Sequence, residues 1–193
     1  MPLTNPPPDF AGLSLAALAE WTGGDRLPPV ADWHPAREAT IDIIIRADGR
    51  WFHEGGEITR PAMVRLFSRI LRREADGSHV LVTPAEKLAI TVEDAAFVAV
   101  EMKREGEGAE QKLAFRLNSG DVVIAGADHP LLVRDGPAGR LPYLHVRSAG
   151  AGVLEARLAR PVYYDLAMLA DETGQVVSNG ASFAIGDVQA PAS

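Results

Sequence analysis

The chain has 193 residues, 47% hydrophobic and 23% charged, with a formal net charge of -7 and no cysteine. That is enough chain for a sizeable core in one or two compact units, and its composition excludes general disorder. Without cysteine there are no disulfides, thiolate nucleophiles, iron-sulfur clusters or zinc-thiolate sites, and the acidic balance argues against a general nucleic-acid binder, which needs clustered cations.

The N-terminus, Met1 to Pro8, lacks the basic region and apolar core of a signal peptide, and no apolar run is long enough to span a bilayer, so a cytoplasmic protein without membrane partners is expected. Residues 1–9 are proline-rich. Phe10 to Trp21 carries Leu13, Leu15, Leu18 and Trp21 among alanines and predicts a short helix packed on the body. Asp25 to Pro35, with three prolines and Trp33, predicts an extended arm lying across a sheet. Residues 1–40 are thus an N-terminal helix and arm.

The densest pattern is residues 41–94. Ile41, Ile43 and Ile45 alternate with Asp42 and Arg46, Ala47-Asp48-Gly49 turns the chain, and Arg50 to His53 returns, which is a hairpin. Ile58-Thr59-Arg60 resumes briefly. Pro61 then opens a helix, since proline loses nothing where an amide has no intrahelical partner. Val64, Phe67 and Leu71, with Met63, Leu66 and Ile70, predict its apolar face; Arg65, Ser68, Arg69, Arg72 and Arg73 fall outside it, and Asp76-Gly77 stops it. A second hairpin runs from His79 to Val92 across Pro84-Ala85. Residues 41–95 form the first α+β unit.

From residue 96 to 193 the chain is strand-rich. Val98, Val100 and Met102 alternate with polar neighbours, Lys112 to Asn118 returns, and strands at Val122, Leu131, Leu141 and Val153 follow between glycine and proline turns. This spacing predicts a curved antiparallel sheet or partial barrel. From Leu141 the order strand, turn, strand, helix, strand, strand repeats that of residues 41–94. Arg60-Pro61 and Arg160-Pro161 stand one hundred positions apart, as do Leu66 and Leu166. The expectation is an internal duplication: α+β, two related, mainly antiparallel β units, each with a packed helix.

No explicit enzyme motif is present. Each lysine follows a residue other than glycine, so there is no phosphate-binding loop; Gly150-Ala151-Gly152 meets Glu155 where a dinucleotide fingerprint needs glycine; no serine occupies a nucleophile elbow. The five histidines are too separated for local ligand pairs, although distant segments bring a metal-dependent hydrolase into consideration as a weaker reading. What stands out is polar strand faces: Tyr143, His145 and Arg147 on one side of a strand, Glu155 and Arg157 on the next, and Lys112, Arg116 and Asn118 upstream. Such a set is either a solvated face with cross-strand ion pairs or the chemistry of an anionic, ring-bearing ligand, where guanidinium grips phosphate and an aromatic ring stacks.

Several runs in order carry a family resemblance: Gly49-Arg50-Trp51-Phe52-His53 through Arg60-Pro61, Leu66-Phe67-Ser68, Leu81-Val82-Thr83-Pro84 with Glu86-Lys87, Val92-Glu93-Asp94-Ala95, Phe115-Arg116-Leu117-Asn118 before Gly120-Asp121, Pro142-Tyr143-Leu144 with Val146-Arg147, and Ala159 to Tyr164. Over residues 28–186 the chain resembles the bacterial DUF1285 family. Departures fall at turns, with Glu57 and Ala96 where proline is expected. The resemblance implies a duplicated core, a C-terminal part like pleckstrin-homology domains, and a groove between the halves for a nucleotide-like ligand in signalling. On this basis the expected protein is a non-enzymatic, cofactor-free binder of an anionic small molecule. Arg116, Asn118, Tyr143, His145 and Arg147 form one wall of the expected groove and Trp51, His53 and Lys87 the other. The second reading is a protein-interaction module that uses a sheet edge or the basic helix face around Arg65 and Arg69.

Overall fold

Isoleucine alternation sets the first strand. In a computed structural model that describes Ser14 and residues 27–186, β1 (Arg37–Ile45) buries Ile43 and Ile45 and leaves Asp42 outward. The expected helix of Phe10 to Trp21 and the first part of the arm lie outside the described residues. The remainder of the arm makes a single 3-10 turn at Val30–Asp32. Arg72 fastens it by donating to the carbonyls of Val30 (2.9 Å) and Trp33 (2.7 Å).

β1 turns into β2 (Trp51–His53), placing Trp51 opposite Ile45, and β3 (Gly56–Glu57) follows on the edge. Helix α1 (Pro61–Arg69) begins at the proline, as its sequence predicts. It ends earlier than the apolar spacing suggests, because Leu71 to Arg73 are taken into a strand, β4 (Leu71–Arg73), by pairing with β5 (His79–Val82). Asp76-Gly77 therefore belongs to the β4–β5 turn, where the Asp76 carboxylate accepts the Ser78 amide at 2.9 Å. β6 (Glu86–Val92) completes the unit. The strand order is β3-β2-β1-β6-β5-β4, and β1 with β6 is parallel.

The second unit repeats this plan. β7 (Phe97–Glu105), β8 (Lys112–Leu117) and β9 (Val122–Ile124) form one meander, and β10 (Leu131–Gly136), β11 (Gly139–Ala149) and β12 (Gly152–Leu158) form another. Their order is β10-β11-β12-β7-β8-β9, with β7 and β12 parallel. Both units are thus two three-stranded meanders joined through their first and last strands. Duplication is borne out, but its frame differs from the sequence expectation of a second copy in residues 141–185. There, helix α2 (Arg160–Ala167) follows the second sheet, and β13 (Gln175–Ser178) with β14 (Ala181–Ala184) makes a separate hairpin. The two Arg-Pro pairs therefore mark helices at non-equivalent places in the plan; what they share is the local fitness of proline at a helix start.

The β13–β14 hairpin lies across the open side of the second sheet, β14 against β10 and β13 against β8. Buried Ser178 holds it there: its hydroxyl accepts the Leu113 amide (2.9 Å) and donates to the Ala125 carbonyl (2.7 Å). Apolar side chains of both units form one continuous core. Among the described residues, no helix is long and apolar enough to cross a membrane.

The face of α1 differs from its helical pattern. Arg65 and Ser68 are buried, whereas Met63 and Leu66 are 37% and 51% exposed. The second unit covers what the pattern marks as the polar side.

His79, cross-strand from Arg73, is held well below its ordinary value of 6.5, at about 4, by burial and then by the Arg73 charge. Between these values the unfolded chain takes up a proton that the folded chain refuses, so stability falls as pH drops from 6.5 towards 4 and is unaffected above. Urea unfolding across this range should show that decline, and His79→Gln should remove much of it.

Candidate functional site

The polar strand faces that the sequence singles out lie mostly at the joint between the two units. Asp94, in the segment between β6 and β7, has a side chain only 2% exposed. Tyr143 donates its hydroxyl to this carboxylate at 2.8 Å, and Arg134 and Arg157 approach it at 3.6 and 3.4 Å. The Arg134 guanidinium also stacks over the Tyr143 ring, 3.5 Å from its centroid, and pairs with Glu155 at 2.9 Å. Burial, and then the Asp94 carboxylate, push the Tyr143 hydroxyl up to about 12, so it remains a neutral donor.

Each unit also inserts a glycine turn against the other. Gly49 has φ +86, and a Cβ there would sit 2.7 Å from Asn118 Nδ2 and 2.8 Å from Val98 Cγ2. Asn118 accepts the Val98 amide and donates to the Gly49 carbonyl at 2.9 Å, while Arg157 donates to the Ala47 carbonyl at 3.0 Å. In the opposite direction Gly150, φ +76, packs on Arg72, where a Cβ would meet Cγ at 2.7 Å, and Arg73 donates to the Val153 carbonyl. Arg147 donates to the Ser68 carbonyl near the C-terminal end of α1, where unpaired carbonyls favour a cation, and stacks near Phe97.

The expected groove residues are therefore distributed as follows. Asn118, Tyr143 and Arg147 fasten the units together. Trp51 and Tyr143 are buried, Trp51 against Phe67 at 6.1 Å between centroids, so neither presents a free face on which a ligand ring would stack. Lys87 is paired with Glu38 at 2.7 Å and Arg116 with Glu101 at 2.6 Å. His145 packs edge-on to His129, and burial, followed by the His129 charge, lowers its pKa. His53 is exposed at the far end of β2. Trp51 and Asn118 share a cavity, about 280 Å³, lined otherwise by Gly49 and Arg50 of the β1–β2 turn, Glu57 to Thr59 and the start of α1. Of the basic face expected on α1, Arg65 is buried, Arg69 is half-buried, and Arg72 is buried in β4. Among the described residues no group of three or more metal-ligating side chains comes together.

A larger cleft, about 560 Å³, opens in the second unit. Its walls come from the β10–β11 hairpin (Val133, Ala138, Arg140, Leu141), the end of β12 (Arg157, Leu158), the start of α2 (Arg160, Tyr163, Tyr164), and Ile185-Gly186. Among the described residues three arginines and two tyrosines line it, and no carboxylate does. Arg140 and Arg160 are exposed, and among the described residues neither side chain has a hydrogen bond or an ion pair. The Tyr163 and Tyr164 rings stack at 6.2 Å, with Tyr164 39% exposed. No side chain caps α2, so its N-terminus presents amide and dipole to the same opening. Sequence reasoning missed this site. The available signal was Arg160-Pro161-Val162-Tyr163-Tyr164, a cation and adjacent aromatics at a helix start.

The fold and site define a two-unit β protein made by duplication of a six-stranded sheet, with a basic, aromatic cleft in its second unit. The chain belongs to the DUF1285 family: the model of the domain of unknown function (DUF1285), N-terminal domain, matches residues 28–95, and that of the protein of unknown function (DUF1285), C-terminal domain, matches residues 96–185. It is similar to the crystal structure of a DUF1285 family protein from Silicibacter pomeroyi DSS-3, with a TM-score of 0.77 and 40% identity over 91% of this chain and 96% of that one. A DUF1285 family protein from Shewanella baltica OS155 has a TM-score of 0.49 and 25% identity, over 64% of this chain and 87% of that one. No curated protein matches the sequence.

Asp94→Asn removes the charge that its two arginines face. Breaking a buried pair of this kind costs about 3 kcal/mol. Urea unfolding should show that loss, whereas Tyr143→Phe, which deletes one hydrogen bond, should cost about 1 kcal/mol.

Proposed function

We propose that this protein is a non-enzymatic binder of an anionic, ring-bearing small molecule of nucleotide type, taken in the cleft beside α2. The observation that carries this reading is Arg140 and Arg160 at the mouth of a cleft where, among the described residues, neither side chain has a partner, two tyrosines join them and no carboxylate lines the wall. In a chain of net charge -7 this is a local inversion of sign, and arginine forks match phosphate or carboxylate oxygens in pairs. The volume, about 560 Å³, suits a small-molecule site. Tyr164 offers a ring on which a planar group stacks.

This reading keeps the ligand class expected from the sequence and moves the site from the groove between the halves to a cleft of the second unit that touches the joint through Arg157. In this proposal the second unit, a six-stranded sheet with a hairpin across its open side and a helix after it, works in the manner of a pleckstrin-homology-like module. Binding without chemistry makes occupancy itself the output, which is a signalling role.

Thermal unfolding against a panel of nucleotides and phosphorylated metabolites tests this. A ligand at a hundred times its dissociation constant adds about 2.7 kcal/mol. The shift should be largest for ring-bearing anions, smaller for a ring-free anion such as pyrophosphate, and should vanish in Arg140→Ala/Arg160→Ala. The unliganded stability of that variant should stay within about 0.5 kcal/mol, since both side chains are exposed. A flat panel, or a shift that survives in the variant, overturns the proposal.

A further inference from the structure

The cleft and the joint share one side chain. Arginine carries five N–H groups in a planar fork. Arg157 uses Nε and Nη2 together on the Ala47 carbonyl, at 3.3 and 3.0 Å, and Nη1 on the Leu158 carbonyl at 3.4 Å. One N–H on each Nη is left over, and these two form the end of the fork, the edge that takes an oxyanion bidentately. Arg157 is also a lining residue of the cleft. Its position is set at the joint: Nε also faces the Asp94 carboxylate at 3.4 Å, and the β1–β2 turn that supplies Ala47 is held by Asn118 on Gly49 and by Glu93, whose carboxylate accepts the Ala47 amide at 2.9 Å and pairs with Arg46.

Resting on the cleft reading above, we infer that the docked β1–β2 turn of the first unit controls the anion affinity of the cleft in the second, by holding Arg157 with its end fork free for the ligand. Seating the turn fixes the guanidinium before the ligand arrives, so the ligand does not have to order a long side chain. The coupling is reciprocal: an anion on the end fork holds Arg157 on the Ala47 carbonyl and tightens the seat of the turn. Arg157 is a positioning and binding residue at once, and the first unit is a regulatory element for a site that it does not line.

Gly49→Ala tests this without altering charge. Alanine is strained at φ +86, and its Cβ would enter contacts of 2.7 and 2.8 Å with Asn118 and Val98, so the turn must shift while the cleft lining stays intact. Asn118→Ala releases the same turn from the other side and serves if Gly49→Ala does not fold. Inorganic pyrophosphate is the probe, with affinity read by calorimetry and the turn followed by hydrogen exchange of residues 46–50.

The expected result is wild-type binding that Arg140→Ala/Arg160→Ala removes, affinity lower by about tenfold in the turn variants, and slower exchange at 46–50 when pyrophosphate is bound to the wild type. Wild-type affinity in a variant whose turn exchanges freely overturns the coupling and leaves the cleft reading standing. Absence of pyrophosphate binding in the wild type, or binding that survives Arg140→Ala/Arg160→Ala, overturns the cleft reading and the coupling with it.

Discussion

The two sheets are oriented by one buried carboxylate. Asp94 sits in the short segment between the units, almost without exposure, and meets one phenol and two guanidiniums from β10, β11 and β12. Apolar packing is non-directional and leaves two flat sheets free to slide over each other. Hydrogen bonds and ion pairs at 2.8 to 3.6 Å are directional, and they fix one angle and one register. Burying such a charge is costly, and the cost is offset because every cation around it has a second use: Arg134 holds Glu155 and stacks on Tyr143, and Arg157 reaches the Ala47 carbonyl. The glycine turns at Gly49 and Gly150 then close against surfaces that Asp94 has already brought into line.

This arrangement explains how an acidic protein keeps a basic cleft. Most of its arginines are neutralised or buried: Arg72 by Glu74, Arg116 by Glu101, Arg134 by Glu155, Arg147 against the end of α1. Arg140 and Arg160 remain at the cleft mouth, with no carboxylate among the described lining residues. A lone cation on a surface is unremarkable, but two of them in one lining with two aromatic rings and a third, half-buried arginine form a field focused into a concavity.

Local physics was legible in the sequence wherever it decided the outcome. Isoleucine alternation gave β1, Pro61 and Pro161 the two helix starts, and the polar and glycine turns most of the hairpins. What sequence could not supply was the identity of the neighbour. Leu71 to Arg73 continue a helical pattern and become a strand because β5 offers a ladder. Tyr143 and His145 share a face with Arg157 and Glu155 opposite, as alternation requires, but a bulge between His145 and Arg147 breaks the alternation, and Tyr143 is fully covered at the joint. The duplication was visible, but the Arg-Pro likeness drew the frame to residues 141–185, since a helix start leaves a stronger mark on sequence than the parallel closure of a sheet does. The cleft was illegible for a similar reason: its lining comes from four separate stretches, none of which carries more than three of the lining residues in one helical turn or one hairpin arm.

The parallel pair at the centre of each sheet also sets an order of assembly. β1 is the first strand of its unit to leave the ribosome, yet its Thr40, Ile44 and Ile45 pair with Ala89, Thr91 and Val92 at the other end of the unit. β7 waits in the same way for β12. Neither sheet closes until its last strand has been made, so contacts distant in sequence dominate the folding of each half, which slows it and leaves an apolar strand such as Ile41 to Ile45 uncovered during synthesis. Asp42 and Arg46, a charge on each side of its Ile43-Ile44-Ile45 centre, keep the waiting strand in solution until its partner emerges.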